Sequence, residues 1–160
     1  MTWDQGLDFE KTLKKLLKDY AEETNLRRKT KLAILITQLR NGSRISEAIE
    51  AISIFKSTGA REVMVKVRKK KKDEFRKMII PEQIKQSHIV DIPNKHAIAM
   101  FAKRRYGFNT HSLRYAFVSY LAKRGVSPQI IAKITRHSKL DMILNYTQEK
   151  LADEILIELL

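Results

Sequence analysis

The sequence predicts a mainly helical domain with one small antiparallel β-hairpin, an α+β arrangement. Apolar residues recur at helical spacing along most of the 160-residue chain. A short stretch instead alternates apolar and polar residues on both sides of a lysine run, which is typical of a hairpin. The length, and the lack of any linker-like segment, predict a single domain over residues 1–160. Glycines follow several of the helical segments and are expected to end them, namely Gly42, Gly59, Gly107 and Gly125.

The helical segments follow one another along the chain. We expect a first helix over 9–22 and two further helices, one on each side of a turn at Asn41-Gly42. Two more helices are expected after Pro93. The last three are expected over 128–135, 139–145 and 148–160. Ser127-Pro128 is a typical helix start, because serine caps the free backbone N–H groups and proline fits the first turn.

The hairpin is expected between Val63 and Ile80. On its first strand Val63, Val65 and Val67 alternate with Met64, Lys66 and Arg68, and the pattern resumes from Phe75 to Ile80, after the lysine run. The tip between the two strands is strongly basic, with Lys69, Lys70, Lys71 and Lys72.

The composition excludes several classes of protein. The chain has no cysteine, which rules out disulfides, thiolate metal sites and a cysteine nucleophile. No apolar run approaches the roughly 18 residues that a membrane span needs, and the first residues lack the pattern of a signal peptide. We therefore expect a cytoplasmic protein.

The charge balance favours a polyanionic partner. Lysine and arginine number 32 against 18 aspartate and glutamate, a formal net charge of +14. Residues 92–140 hold no acidic residue at all, so the excess is concentrated there. A solvated lysine-rich surface is the alternative explanation, but a nucleic acid is the favoured partner.

Pairs of candidate functional residues stand at three places. His111 and Arg114 lie three residues apart at the start of an expected helix, so that both share one face near its N-terminus. Arg44 follows the Gly42 turn, with Glu47 one helical turn later; alone, these would be a surface ion pair. His137 and Tyr146 stand nine residues apart near the C-terminus.

Taken in chain order, these motifs resemble the catalytic domain of the tyrosine recombinases, the family of phage and archaeal viral integrases and chromosome-dimer resolvases. Arg44-Ile45-Ser46-Glu47 resembles the family's arginine that follows a turn and precedes Ile-Ser-Glu, and His111 to Arg114 resembles its His-x-x-Arg. A basic hairpin and a Gly-His-Ser-like stretch followed by tyrosine complete the pattern. The resemblance covers residues 26–147.

The resemblance implies a site-specific recombinase that joins DNA to a tyrosine through a 3′-phosphotyrosyl bond, without metal or other cofactor. Tyr146 would be the nucleophile. Arg44 and Arg114, two planar guanidiniums, would bind the phosphate oxygens, and His111 and His137 would donate hydrogen bonds to them. The set of implied catalytic residues is Arg44, Lys70, His111, Arg114, His137 and Tyr146, supported by Glu47.

Several assignments stay open. Lys70 is the expected acid for the leaving 5′ oxygen, with Lys69, Lys71 and Lys72 as rivals. Further DNA contacts are expected from those three lysines and from Lys103, Arg104, Arg105 and Arg136. A non-catalytic DNA-binding remnant is the main alternative function, and a type IB topoisomerase is the weaker one, because that family typically has lysine where His111 stands.

The chain also departs from the family. Only about 25 residues precede the match, so we expect no N-terminal core-binding domain, and Arg136 stands where the family commonly has glycine. The last expected helix, 148–160, carries an apolar stripe with acidic residues opposite. It would either fold back onto its own domain or, as the resemblance implies, dock onto a neighbouring protomer. Self-association on DNA is also expected.

Overall fold

A computed structural model describes residues 6–67, 74–137 and 152–159 of the protein. The elements in chain order are α1 (Phe9–Glu22), α2 (Leu26–Asn41), α3 (Ile45–Thr58), β1 (Glu62–Lys66), β2 (Phe75–Ile79), α4 (Lys95–Tyr106), α5 (His111–Lys123), α6 (Pro128–Thr135) and α7 (152–158). A single turn of 3-10 helix, Gln86–His88, lies between β2 and α4.

Helix α2 forms the centre of the core. Nearly every residue from Lys29 to Leu39 is buried, and Leu32, Ile34 and Leu35 are fully buried. The Asn25 side chain caps its first turn, and Gly42 ends it in the left-handed conformation. Helices α1, α3 and α5 all pack against α2, so the residues that follow its end are held by several elements at once.

The hairpin is fastened to the end of α2. Strands β1 and β2 are antiparallel, with Val63 opposite Met78 and Val65 opposite Arg76. The Asn41 side chain accepts a hydrogen bond from the Ile79 backbone N–H and donates one to its carbonyl, each at 2.8 Å. The Asn41 side chain therefore bonds to β2 in the way that a neighbouring strand would, and it fixes the hairpin against the turn after α2.

Helix α7 lies on the surface. Its apolar side chains are exposed, at Ile155, Leu156 and Ile157, followed by Leu159 just beyond the helix. An ion pair of 3.4 Å joins Lys123 to Glu154 and connects the helix to α5. In the described residues, then, the apolar stripe does not pack onto its own domain.

The predicted fold class is confirmed: the structure is mostly helical, with a two-stranded antiparallel hairpin. The helices expected over 9–22 and 128–135 have those bounds. The 3-10 turn was not predicted. The hairpin tip and the expected helix over 139–145 lie outside the described residues. In the described part of the chain, no helix has both the length and the apolar character needed to cross a bilayer.

Candidate active site

The turn between α2 and α3 presents Arg44. Gly42 has a φ of 59°, in the left-handed region, and a Cβ there would collide with the ring of Phe117. Glycine is therefore required both by the backbone and by the close approach of α5. The turn is held against the first half of α5, where His111 and Arg114 lie.

Arg44 forms a buried ion pair rather than a surface one. Its Nη1 lies 3.0 Å from Oε2 of Glu47, and its backbone N–H donates to Oε1 of the same carboxylate at 3.2 Å. The Glu47 side chain is 0% exposed and that of Arg44 is 14% exposed. Both oxygens of one carboxylate thus bind the same residue, which fixes the direction of the Arg44 side chain.

Arg114 joins the other parts of the site. Its side chain is 2% exposed. Nη1 donates to the carbonyl of Gly42 at 3.2 Å, and Nε donates to Nε2 of His137 at 3.3 Å. Nη2 is buried and has no hydrogen-bond partner within the described residues. Burial, and then the charge of Arg44, lower the pKa of Arg114 to about 9, so it remains a cation at neutral pH.

His137 is a neutral hydrogen-bonded histidine. Thr135 Oγ1 donates to the Ile131 carbonyl, so its contact of 2.6 Å with Nδ1 of His137 is one in which the ring nitrogen donates. This tautomer leaves Nε2 without a proton, so that it can accept from Arg114. Burial first, then the charges of Arg114 and Arg44, lower the pKa of His137 to about 3.

His111 and Tyr115 complete the aromatic side of the site. His111 is the first residue of α5 and is exposed. The Tyr115 ring lies 5.6 Å from the His111 ring in an edge-on arrangement, and 6.3 Å from the His137 ring. Tyr115 is buried, and its burial raises the pKa of its phenol against the opposing charges of Arg114 and Arg44. Tyr115 is therefore an uncharged ring that lies beside both His111 and His137.

A third arginine lies in this cluster that the motifs did not identify. Arg76 of β2 is buried, with Nη1 3.7 Å from Oε1 of Glu47. A signal was available in the sequence, because the period-two pattern that points Met78 and Ile80 inward also points Arg76 inward. An arginine at an inward strand position is unusual enough to be selected as a candidate.

The structure brings Arg44, Glu47, Arg114 and His137 into one connected cluster, with His111 at its edge. Lys69, Lys70, Lys71, Lys72 and Tyr146 lie outside the described residues. The roles assigned to those five side chains therefore stay predictions. Among the described residues, no three His, Asp or Glu side chains come together as a metal-binding group.

Arg136 has a backbone conformation that glycine adopts more easily than other residues. Its φ is 59°, and it ends α6 in the left-handed conformation immediately before His137. Its Nη1 pairs with Glu74, which immediately precedes β2, at 3.2 Å. A left-handed conformation in a residue with a Cβ costs about 1 kcal/mol, and this contact with the hairpin offsets part of that cost.

The three basic residues near the end of α4 have different surroundings. Lys103 and Arg104 are exposed to solvent. Arg105, whose side chain is 32% exposed, is paired with Glu23 at 3.0 Å and with Asp19 at 3.7 Å. Because Glu23 and Asp19 already pair with Arg105, Lys103 and Arg104 are better placed to bind an external anion.

Several proteins are similar to this chain over nearly its whole length. "Putative integrase ORF241" of Acidianus two-tailed virus is 44% identical over 168 residues, which cover 99% of this chain and 69% of that protein. "Uncharacterized protein MJ0770" of Methanocaldococcus jannaschii is 37% identical, with 97% and 87% covered. "Putative integrase V10" of Sputnik virophage is 31% identical, with 96% and 88% covered. No protein-family model matches the chain.

Solved structures share the fold. The XerH site-specific recombinase bound to its difH substrate, in a pre-cleavage complex, matches 91% of this chain with a TM-score of 0.58 and 17% identity. The Tn1549 transposon integrase in complex with transposon right end DNA matches 85% with a TM-score of 0.55 and 14% identity. This chain spans 51% of the XerH chain and 59% of the Tn1549 chain.

Proposed function

Because the chain belongs to the integrase family and has the fold of the tyrosine recombinase catalytic domains, we propose that it is a site-specific recombinase. In this proposal it cleaves and rejoins double-stranded DNA through a 3′-phosphotyrosyl intermediate. Tyr146 is the nucleophile, and no metal ion takes part.

The observation that carries the proposal is the unpaired N–H group of Arg114. A buried guanidinium nitrogen without a partner in the described residues costs free energy unless an acceptor reaches it. Among the described residues, it lies in a cluster of three arginines that holds one carboxylate, Glu47. A phosphate oxygen would satisfy this donor and balance the charge, so a phosphodiester is the substrate group that fits best.

The reaction exchanges one phosphoester bond for another. The Tyr146 phenolate oxygen attacks phosphorus, a tyrosine–phosphorus bond forms, and the bond from phosphorus to the 5′ oxygen breaks. The departing oxygen takes a proton from Lys70, or from one of its neighbours on the hairpin tip, and leaves as a 5′ hydroxyl. Arg44 and Arg114 bind the non-bridging oxygens, on which negative charge builds.

The two histidines take different parts. His111 is exposed at the N-terminal end of α5, where it accepts the phenol proton from Tyr146. His137 accepts a hydrogen bond from Arg114 and so orients that guanidinium before substrate arrives. The negative charge of a bound phosphate would raise the pKa of His137 and enable Nε2 to carry a proton and donate it to an oxygen.

DNA is the proposed partner, and the basic residues around the site are its proposed contacts. The hairpin lysines, Lys103, Arg104 and Arg136 would bind backbone phosphates, with Arg105 contributing less because of its intramolecular pairs.

Self-association on DNA is proposed through α7. Its side chains Ile155, Leu156 and Ile157 are exposed together. A contiguous apolar surface of this kind usually marks a contact with another molecule. The acidic residues of the same helix suit the basic body of a second copy.

A pool of nicked duplexes tests the function. Each duplex has a randomised central sequence and a nick placed so that the cleaved strand diffuses away, which traps the covalent intermediate without knowledge of the target. The expected result is a protein–DNA adduct that survives denaturing electrophoresis. Sequencing the trapped strands then gives the preferred site.

The alternatives predict other outcomes. A non-catalytic remnant would shift duplexes in native gels yet form no adduct under any condition, and that result would overturn the proposal. A type IB topoisomerase would relax supercoiled plasmid without joining two duplexes, so a strand-exchange assay with two labelled duplexes separates it from a recombinase.

A further inference from the structure

Arg76 occupies a position that ordinarily holds an apolar side chain. It lies on the inward face of β2, two residues before the buried Met78, and is 2% exposed. Burying a guanidinium there is costly unless its charge and its donors are matched. Such a residue needs a reason beyond packing, because methionine or leucine would fill the same space at lower cost.

The partners of Arg76 belong to the candidate active site. Its Nη2 donates to the backbone carbonyl of Asn41 at 2.7 Å, at the end of the helix that leads into the Gly42 turn. Its Nη1 lies 3.7 Å from Oε1 of Glu47. The other oxygen of Glu47 binds Arg44 at 3.0 Å. Glu47 is therefore shared between a buried arginine and the arginine proposed to bind phosphate.

This sharing decides the charge of the site. Arg44 and Glu47 alone would form a neutral pair, which attracts a phosphodiester weakly. With Arg76 the three side chains carry a net charge of +1, to which Arg114 adds another. Burial lowers the pKa of Arg76 to about 10, against the raising effect of Glu47, so it stays charged at neutral pH.

Arg76 also connects the hairpin to the Arg44 turn. Strand β2 follows directly after the basic hairpin tip, and Arg76 and Ile79 both bond to Asn41. Both contacts come from β2, so they hold this strand beside the arginine turn.

We propose that Arg76 is a positioning residue for strand cleavage: it holds Glu47, and through it Arg44, in the orientation that binds the scissile phosphate. This inference rests on the proposed function. In this proposal Arg76 acts on cleavage through Glu47 and Arg44.

The test compares Arg76→Met with Arg76→Lys on the duplex that wild-type protein cleaves best. Methionine fills the space without charge. Lysine keeps the charge but reaches only one of the two partners, the Asn41 carbonyl or Glu47, at a time. At saturating DNA, we expect Arg76→Met to lower the rate of adduct formation about 10- to 100-fold, as for other groups that orient a catalytic residue. Arg76→Lys should recover part of the rate.

A double variant separates positioning from a general structural role. If Arg76 acts through Arg44, then Arg44→Ala combined with Arg76→Met should cleave no more slowly than Arg44→Ala alone. Met78→Ala is the matched control, because it weakens the same strand from the neighbouring inward position without changing charge; its rate at saturating DNA should stay near wild type at a temperature where it is folded.

The contrary outcomes distinguish failure of this inference from failure of the proposed function. An Arg76→Met protein that cleaves at the wild-type rate overturns the inference and leaves the proposed function standing. Rate losses that multiply in the double variant, or an equal loss in Met78→Ala, overturn it in favour of a structural role. No adduct from wild-type protein on any duplex in the pool overturns the proposed function and the inference with it.

Discussion

Nε of Arg114 donates a hydrogen bond to Nε2 of His137 at 3.3 Å, so the histidine acts as an acceptor in this structure. The opposite ring nitrogen is held by Thr135 at 2.6 Å. Both nitrogens are therefore hydrogen-bonded, and the ring direction is fixed. In the proposed function, the histidine aligns the buried arginine before DNA binds, and its own hydrogen bond to phosphate requires a change in protonation or partner.

The stability of the protein should fall with acidification because of His137. Its pKa is about 3 in the folded state against 6.5 for the free side chain. Between these values the unfolded chain binds the proton more readily, so stability present above pH 6.5 is lost as the pH falls, by at most about 1.4 kcal/mol per pH unit. His137→Gln should flatten the dependence between pH 6.5 and 5 in urea-unfolding measurements.

His96→Gln is the control for that measurement, since His96 is exposed on α4. The half-buried His88, whose pKa is also lowered by burial, is present in both variants and cancels in the comparison. An unchanged pH dependence in His137→Gln would show that His137 is not the proton-binding group.

Tyr146→Phe should abolish adduct formation and leave duplex binding unchanged, because it removes one hydroxyl and no cation. Denaturing gels and fluorescence anisotropy measure the two properties. Tyr120→Phe is the control and should keep the adduct; its hydroxyl bonds to Arg124 and its ring stacks on Phe9. An adduct retained by Tyr146→Phe would move the nucleophile to another tyrosine, and Tyr115 is the first to consider because its ring lies 6.3 Å from that of His137.

Arg44→Ala and Arg114→Ala should each lower the cleavage rate by about 100-fold or more, the size expected when a hydrogen bond to a developing oxyanion is removed. Their effects on stability should differ. Arg114 also holds the Gly42 carbonyl and His137, so its loss should lower the melting temperature more. In Arg44→Ala, Glu47 keeps its ion pair with Arg76, so the melting temperature should fall less. A near-normal rate at saturating DNA in either variant would remove that arginine from the site.

Lys103 and Arg104 should contribute to DNA binding through phosphate contacts. Replacing either by glutamine should reduce the slope of log affinity against log salt by about 1 for each cation–phosphate pair removed, without changing the melting temperature. Arg105→Gln should show the reverse pattern, a loss of stability with little change in slope, because Asp19 and Glu23 lose their partner. Equal salt slopes for all variants would place DNA on another face.

Deleting residues 151–160 should leave a folded domain, because the apolar side chains of α7 are exposed rather than packed on the core. We expect the truncated chain to lose self-association on DNA, measured by sedimentation with a cleavable duplex. Glu154→Gln is the control, since the exposed pair with Lys123 contributes little. A truncated protein that unfolds would show that the helix belongs to its own domain.

The periodicity of the sequence was sufficient to predict most elements. Helix α1 spans Phe9–Glu22 and α6 spans Pro128–Thr135, because amphipathic spacing and capping residues are local properties. The 3-10 turn at Gln86–His88 has no such pattern and was missed. Its His88 bonds to Tyr20, and a contact between such distant parts of the chain leaves no periodic signal.

Arg44, Glu47, His111, Arg114 and His137 were selected as candidates from the sequence by the family resemblance of the motifs taken in chain order, since each motif alone was a weak signal. Only the tertiary structure decided that Glu47 is buried, that His137 accepts from Arg114, and that Arg76 shares the same carboxylate. Burial and hydrogen-bond direction depend on which elements pack against each other. Arg76 meets Glu47 only because Asn41 fixes strand β2 beside the Arg44 turn, a contact between residues far apart in the chain.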